Sequence, residues 1–228
     1  MSSLSMIQFP KYSGSLMYPP RPEKSIPPEK ISDYENLGYV AQQKFNGTRC
    51  LVEMLPSGEI KIWGRNKEPL KSYKLSEGLE ACFKEMHAAI SDGGSPQYCV
   101  IDGELMNNKT KNLKDVFVAY DILVYKNEYL IGMSMLERYD LLQNIMGNPD
   151  EYEDITGHKI AIMCREKLWL AETYVFDLKK QFSRYIELDE VEGLVLKKPD
   201  APLCYGLNEK NNSDWLIRCR KPHKNYSF

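Results

Sequence analysis

Two runs near the middle of the chain, residues 98–106 (YCVIDGELM) and 117–125 (FVAYDILVY), restrict the fold more than any other stretch. Val, Ile, Tyr and Phe dominate them, side chains that favour a pleated, partly buried surface. Each is less than half the length needed to cross a bilayer as a helix. They are therefore predicted as strands of a buried sheet, and the remaining chain must supply the layers that cover it. Asp102 and Glu104 interrupt the first run at i, i+2, so both carboxylates fall on one face of the strand. Two acids inside VIDGELM are costly unless cations or hydrogen bonds meet them.

The chain has 228 residues, 43% apolar and 27% charged, which is enough for one sizeable core and excludes disorder and collagen-like repeats. The first forty residues contain PPRP and IPP. Each proline biases its predecessor toward extended backbone, so residues 1–37 are expected to form an extended arm and residues 38–228 the domain. YVAQQKF, then RCLVEML and EIKIW around a Pro-Ser-Gly turn, predict strands and an antiparallel hairpin. Leu75, Leu79, Phe83, Met86 and Ile90 recur at helical spacing. A second helix is punctuated by an S-x-x-E capping box at Ser134 and Glu137 and by a stop at Gly147. Val175, Leu178, Phe182 and Tyr185 predict a third within residues 170–188. EGLVLKK and DWLIRCRK close the chain as strands. Irregular interleaving of strands and helices gives the fold class α+β, with more than one antiparallel sheet.

Six scattered cysteines show no CxxC pair and no neighbouring histidine, which fits core thiols in a reducing compartment. No long apolar run or signal-peptide pattern is present, so a cytoplasmic protein without membrane contact, and a monomer, is expected. A net charge of −2 means that any nucleic-acid contact must come from a local basic patch. Residues 215–228 provide one: Arg218, Arg220, Lys221 and Lys224 without an acid, interleaved with His223 and Tyr226.

Chemistry-bearing residues fall into an ordered set. Lys44 ends a predicted strand just before Gly47, which permits a tight turn. Asp102 and Glu104 follow, and then Glu192-Gly193 leads an apolar strand into Lys197 and Lys198. Trp215 to Lys221 carries three cations on a last strand.

This set resembles the covalent nucleotidyltransferase superfamily, which comprises polynucleotide ligases and messenger RNA capping enzymes. Lys44-Phe45-Asn46-Gly47-Thr48-Arg49 looks like its nucleophile motif K-x-D/N-G-x-R, and Gly64-Arg65-Asn66 like its short arginine motif. Asp102-Gly103-Glu104 is similar to the D-G-E motif and residues 117–121 to the aromatic-Asp strand. Residues 192–197 look like E-G-x-x-x-K, and residues 218–221 like the basic last motif. Asn46 stands where most DNA ligases have aspartate, and Arg218, Arg220 and Lys221 are all candidates for the part of the usual last-motif lysines.

The resemblance implies a nucleotidyltransferase (adenylation) domain, antiparallel sheets flanked by helices around an ATP-binding groove. It implies ATP and Mg²⁺, with Lys44 as nucleophile forming a lysyl-AMP. Gln42 would read the adenine edge and Tyr120 stack on it; Glu104 would accept from a ribose hydroxyl and Arg49 contact ribose or phosphate. Lys197, Arg218, Arg220 and Lys221 would crowd the nucleotide phosphates, Glu192 and Asp102 hold the metal, and Arg65 contact a polynucleotide 5′-phosphate. The expected activity is an ATP-dependent ligase of minimal phage type sealing nicked duplex DNA. RNA ligase stands next, followed by a capping guanylyltransferase and a catalytically silent nucleic-acid-binding relative. The short stretch after the last motif is too small for an oligonucleotide-binding (OB-fold) barrel.

Overall fold

The computed structural model describes residues 9–71, 73–91, 93–107, 109–147 and 160–222. Along them the chain runs β1 (Arg21–Ile26), a 3-10 turn (Pro28–Lys30), α1 (Ile31–Asn36), β2 (Val40–Phe45), β3 (Thr48–Met54), β4 (Ile60–Gly64), α2 (Glu77–Ser91), β5 (Cys99–Met106) and β6 (Val116–Tyr125). There follow β7 (Glu128–Tyr129), α3 (Met135–Met146), β8 (Ile162–Arg165), β9 (Leu168–Leu170), β10 (Thr173–Tyr174), α4 (Leu178–Tyr185), β11 (Val191–Lys197) and β12 (Asn212–Arg220).

The strands form two sheets. The smaller has the order β1-β12-β11-β2-β10, antiparallel except for the parallel β1/β12 pair; β1 belongs to the stretch expected as an extended arm. The larger has the order β4-β3-β5-β6-β9-β8 with β7 beside β6, and only β6/β9 is parallel. Both middle runs are strands, β5 and β6, as their composition requires.

Among the described residues two large cores hold the sheets, beside a small cluster of Val40, Met135, Ala201, Trp215 and Leu216. α2 presents Leu79, Phe83, Met86 and Ile90, and α3 Tyr139, Leu142 and Met146, to the larger sheet. The second core joins the sheets: Met106, Val118 and Trp169 of the larger pack with Ala41, Leu194 and Ile217 of the smaller, under Leu178, Phe182 and Tyr185 of α4. The Ser134–Glu137 capping box is formed, and Gly147 ends α3 at φ 90°. All six cysteines are free, and burial pushes up the thiols of Cys50, Cys99, Cys164 and Cys219. No helix among the described residues is long and apolar enough to cross a membrane.

The helix expected over residues 170–188 is helical only in its second half. Residues 168–170 pair parallel with β6, and Thr173 and Tyr174 pair with Gln42 and Ala41 of β2. Asp177, at φ 57°, then turns the chain into α4. Sheet pairing of a β-branched and aromatic segment overrides the helical period. Leu178, Phe182 and Tyr185 are buried as that period requires, whereas Val175 is exposed.

Candidate active site

The two sheets enclose a cavity of about 620 Å³, within the range of small-molecule sites. The smaller sheet contributes Gln42, Lys44, Glu192, Lys197, Arg218 and Arg220 to its wall; the larger contributes Arg49, Asp102, Glu104, Tyr120 and Asp121, and the turn after β4 adds Arg65. Residues from both ends of the sequence therefore meet in one space.

Lys44 sits on β2, between β11 and β10, and its Nζ donates to Glu192 Oε2 at 2.5 Å. Arg220 Nε lies 3.6 Å from the same oxygen. The glycine after Glu192 makes this approach possible. Gly193 stands in register between Lys44 and Arg220, at φ 145°, and a Cβ there would fall 2.0 Å from the Cys219 carbonyl oxygen. Any larger residue would drive β11 from β12 and carry Glu192 away from Lys44.

The turn after Lys44 is pinned from both sides. Gly47 N–H donates to Glu104 Oε1 at 3.2 Å, and the Gly47 carbonyl accepts from Lys109 Nζ. A Cβ on Gly47 would meet Glu104 Cγ and the Leu105 carbonyl, each at 2.6 Å.

On the larger sheet, Arg49 holds both oxygens of Asp102, with Nε to Oδ1 at 3.0 Å and Nη2 to Oδ2, and Nη2 also donates to the Pro20 carbonyl at 2.8 Å. The Tyr120 ring lies 5.5 Å from Arg49 Cζ and 5.4 Å from Lys197 Nζ. Lys197 Nζ donates to the Tyr120 carbonyl at 3.3 Å. Asp121 takes a bidentate pair from the fully buried Arg138 of α3, at 2.8 and 2.9 Å.

Burial and pairing set the charges. Burial raises the Asp102 carboxyl, against the opposing pull of Arg49. It pushes Glu104 up to about 7, although Lys44, Arg49 and Lys109 pull it down. Burial also takes Lys197 down to about 8, against the attraction of Asp121. Burial would raise Asp121 as well, but the Arg138 guanidinium outweighs it and holds the carboxyl below its usual range.

The expected site residues divide accordingly. Lys44, Gln42, Arg49, Glu104, Tyr120, Lys197, Glu192, Arg65, Arg218 and Arg220 all line the cavity. Asp102 lines it too but is 1% exposed and committed to Arg49. Lys221 is directed elsewhere: its Nζ donates to the carbonyls of Ile186 and Leu188 at 3.2 and 3.1 Å, at the C-terminal end of α4, where a cation suits the helix dipole. Asn46 donates to the Asp189 carbonyl at 3.0 Å. His223, Lys224 and Tyr226 lie outside the described residues. The sequence reading missed Lys109 and Arg21, both on the cavity wall. Neither lies in a periodic element with an unusual charge, so only their being cations marked them.

The donor set bears on a nucleotide and a metal. Gln42 Nε2 donates to Thr173 Oγ1 at 3.0 Å, and its Oε1 is buried without a protein partner, an acceptor available to an amine edge. Among the described residues no three His, Cys, Asp or Glu side chains converge. Magnesium commonly takes only one or two carboxylates together with substrate phosphates. Glu192 with neighbouring Glu104 fits such a shared site, whereas Asp102, with both oxygens on Arg49, does not.

Comparison with known proteins identifies the family and the fold. The family model for the mRNA capping enzyme catalytic domain matches residues 13–212. DNA ligase 1 of Saccharomyces cerevisiae is 22% identical over 213 residues, covering 86% of this chain and 26% of the yeast protein. A mycobacterial DNA ligase D complexed with ATP and MES superposes with a TM-score of 0.53 at 14% identity, covering 90% of this chain and 60% of that one. The structure titled Pmar-Lig_Pre gives 0.56 at 15%, with 89% and 46% covered. At such identities the solved structures share the fold. The chain spans about a quarter of the yeast protein's length.

Proposed function

This chain belongs to the mRNA capping enzyme catalytic-domain family, and from that membership and the site we propose that it is an ATP-dependent polynucleotide ligase that adenylylates itself on Lys44. The observation that carries the reading is Lys44 Nζ held on Glu192 at the wall of a cavity that also presents Arg49, Arg218 and Arg220. A lysine must lose its proton to act as a nucleophile, and Glu192 is the carboxylate in contact with it. Neutral Lys44 attacks the α-phosphate of ATP, a P–N bond forms, and pyrophosphate leaves. The AMP then passes to a 5′-phosphate, and a 3′-hydroxyl displaces it to seal the break.

Phosphoryl transfer asks the protein mainly to position oxygens and neutralise charge. Arg218 and Arg220 of β12 and Lys197 of β11 supply that charge, and Tyr120 with Gln42 would hold the base. Mg²⁺ on Glu192 and Glu104 would neutralise phosphate oxygens. Nicked duplex DNA is the leading substrate, in keeping with the yeast relative being a DNA ligase. The description of the family model favours a second reading, transfer of GMP in capping.

Incubation with α-labelled ATP or GTP and Mg²⁺, followed by a denaturing gel, separates the two. Covalent label from ATP that disappears in Lys44→Ala is expected. Label from GTP alone would sink the ligase reading, and label persisting in Lys44→Ala would mean another nucleophile.

A further inference from the structure

Arg21 lies outside every motif of the sequence set, yet it reaches the cavity from β1. Its Nη2 donates to the Arg65 carbonyl and to Asn66 Oδ1, both at 2.7 Å, which fixes the guanidinium over the turn after β4. Its Nε is buried without a protein acceptor. Burial, with Arg49 and Arg65 nearby, lowers its proton affinity. Asp102 is taken by Arg49, and Glu68, the acid at the same turn, receives the Asn66 N–H at 2.9 Å and offsets part of the charge on Arg21. Three guanidinium groups against these two carboxylates leave the cluster net positive. A buried, unsatisfied guanidinium N–H beside two further arginines calls for an anion with several acceptor oxygens.

The position favours a macromolecular phosphate over the nucleotide. Arg65 is exposed at the rim, and β1 is the edge strand of its sheet, two strands removed from the β11 that carries Glu192 and three from the β2 that carries Lys44. We propose that Arg21 and Arg65 form a paired phosphate site at the cavity rim that grips the polynucleotide, either at its 5′-terminal phosphate or at a backbone phosphate beside the break. This rests on the ligase reading above. Arg21 is then a substrate-binding residue supplied by the N-terminal strand.

The test uses the full chain, with EDTA to block sealing, and measures binding to nicked duplex carrying a 5′-phosphate or a 5′-hydroxyl over a salt series. Arg21→Ala should weaken binding about tenfold or more and make the log–log salt slope shallower by about 0.9, one phosphate contact. Self-labelling by ATP, measured in parallel, should fall less than nick binding does. Loss confined to the 5′-phosphate nick places the terminal phosphate in the site, and equal loss on both places a backbone phosphate there. Asn66→Ala removes one tether but leaves the arginine, so it should bind nearly as the unaltered chain does. If Asn66→Ala reproduced the whole loss, Arg21 would be a structural rivet and the proposal would fail. It would fail equally if a correctly melting Arg21→Ala bound both nicks with unchanged affinity and slope. An unaltered chain that neither labels nor binds nicks would instead overturn the ligase reading, and this site with it.

Discussion

Glu104 shows how a single environment turns a strand residue into a titrating group near neutrality. It is part-buried on β5, faces the cavity, and holds the Gly47 N–H. Burial raises its carboxyl from the ordinary 4.5 to about 7, against Lys44, Arg49 and Lys109. The folded state thus keeps a proton that the unfolded chain releases earlier. The corresponding stabilisation is complete below about pH 4.5 and is lost as pH rises through about 7. Glu104→Gln stays neutral and can still accept from Gly47, so it should gain on the unaltered chain between pH 4.5 and 7.5, by on the order of 2–3 kcal/mol in denaturant melts. Stability curves that run parallel over that range would contradict this. Acids inside an apolar strand were visible in the sequence; their partners were not. Arg49 stands opposite Glu104 in the β3/β5 register, yet its side chain reaches diagonally to Asp102. Such diagonal contacts depend on pleat and side-chain length rather than on spacing.

The helices differ in where their punctuation comes from. α3 carries its own: Ser134 and Glu137 lie three residues apart, and the structure forms both hydrogen bonds of the box. α4 has no side-chain cap of its own. The N–H groups of Asp177 and Leu178 donate instead to Glu35 of α1, at 2.8 and 3.2 Å. A cap supplied from 142 residues away leaves no local signature, which is why residues 170–188 suggested one continuous helix. Residues 168–170 and 173–174 were equally hidden, because their strand character comes from β6 and β2. Glu35→Ala should cost about 1 kcal/mol, a melting temperature lower by roughly 2–4 °C, while Glu35→Gln keeps an acceptor and should lose less. An unchanged melting temperature in Glu35→Ala would show that water replaces the carboxylate without cost.

At the scale of the whole molecule, the site exists only because two sheets close on one another. Lys44, Glu192 and the β12 arginines come from the smaller sheet, and Arg49, Glu104 and Tyr120 from the larger; a core running through Val118, Trp169, Ala41 and Leu194 joins them away from the cavity. No segment of the sequence contains the site, and the order of its motifs was legible long before their convergence. A ligand that touches both walls binds the folded chain and not the unfolded one, so it must raise stability by mass action. Lys44→Ala, which cannot react, allows reversible binding to be read. At a hundredfold excess over its dissociation constant, ATP should add about 2.7 kcal/mol, or roughly 5–10 °C in melting temperature for a chain of this size. The unfolding should remain a single transition, because the nucleotide ties the two sheets together. A larger shift with GTP would move the function toward capping. A shift with neither nucleotide would mean that this cavity, despite its arginines and its buried amide acceptor, is not where the reaction begins.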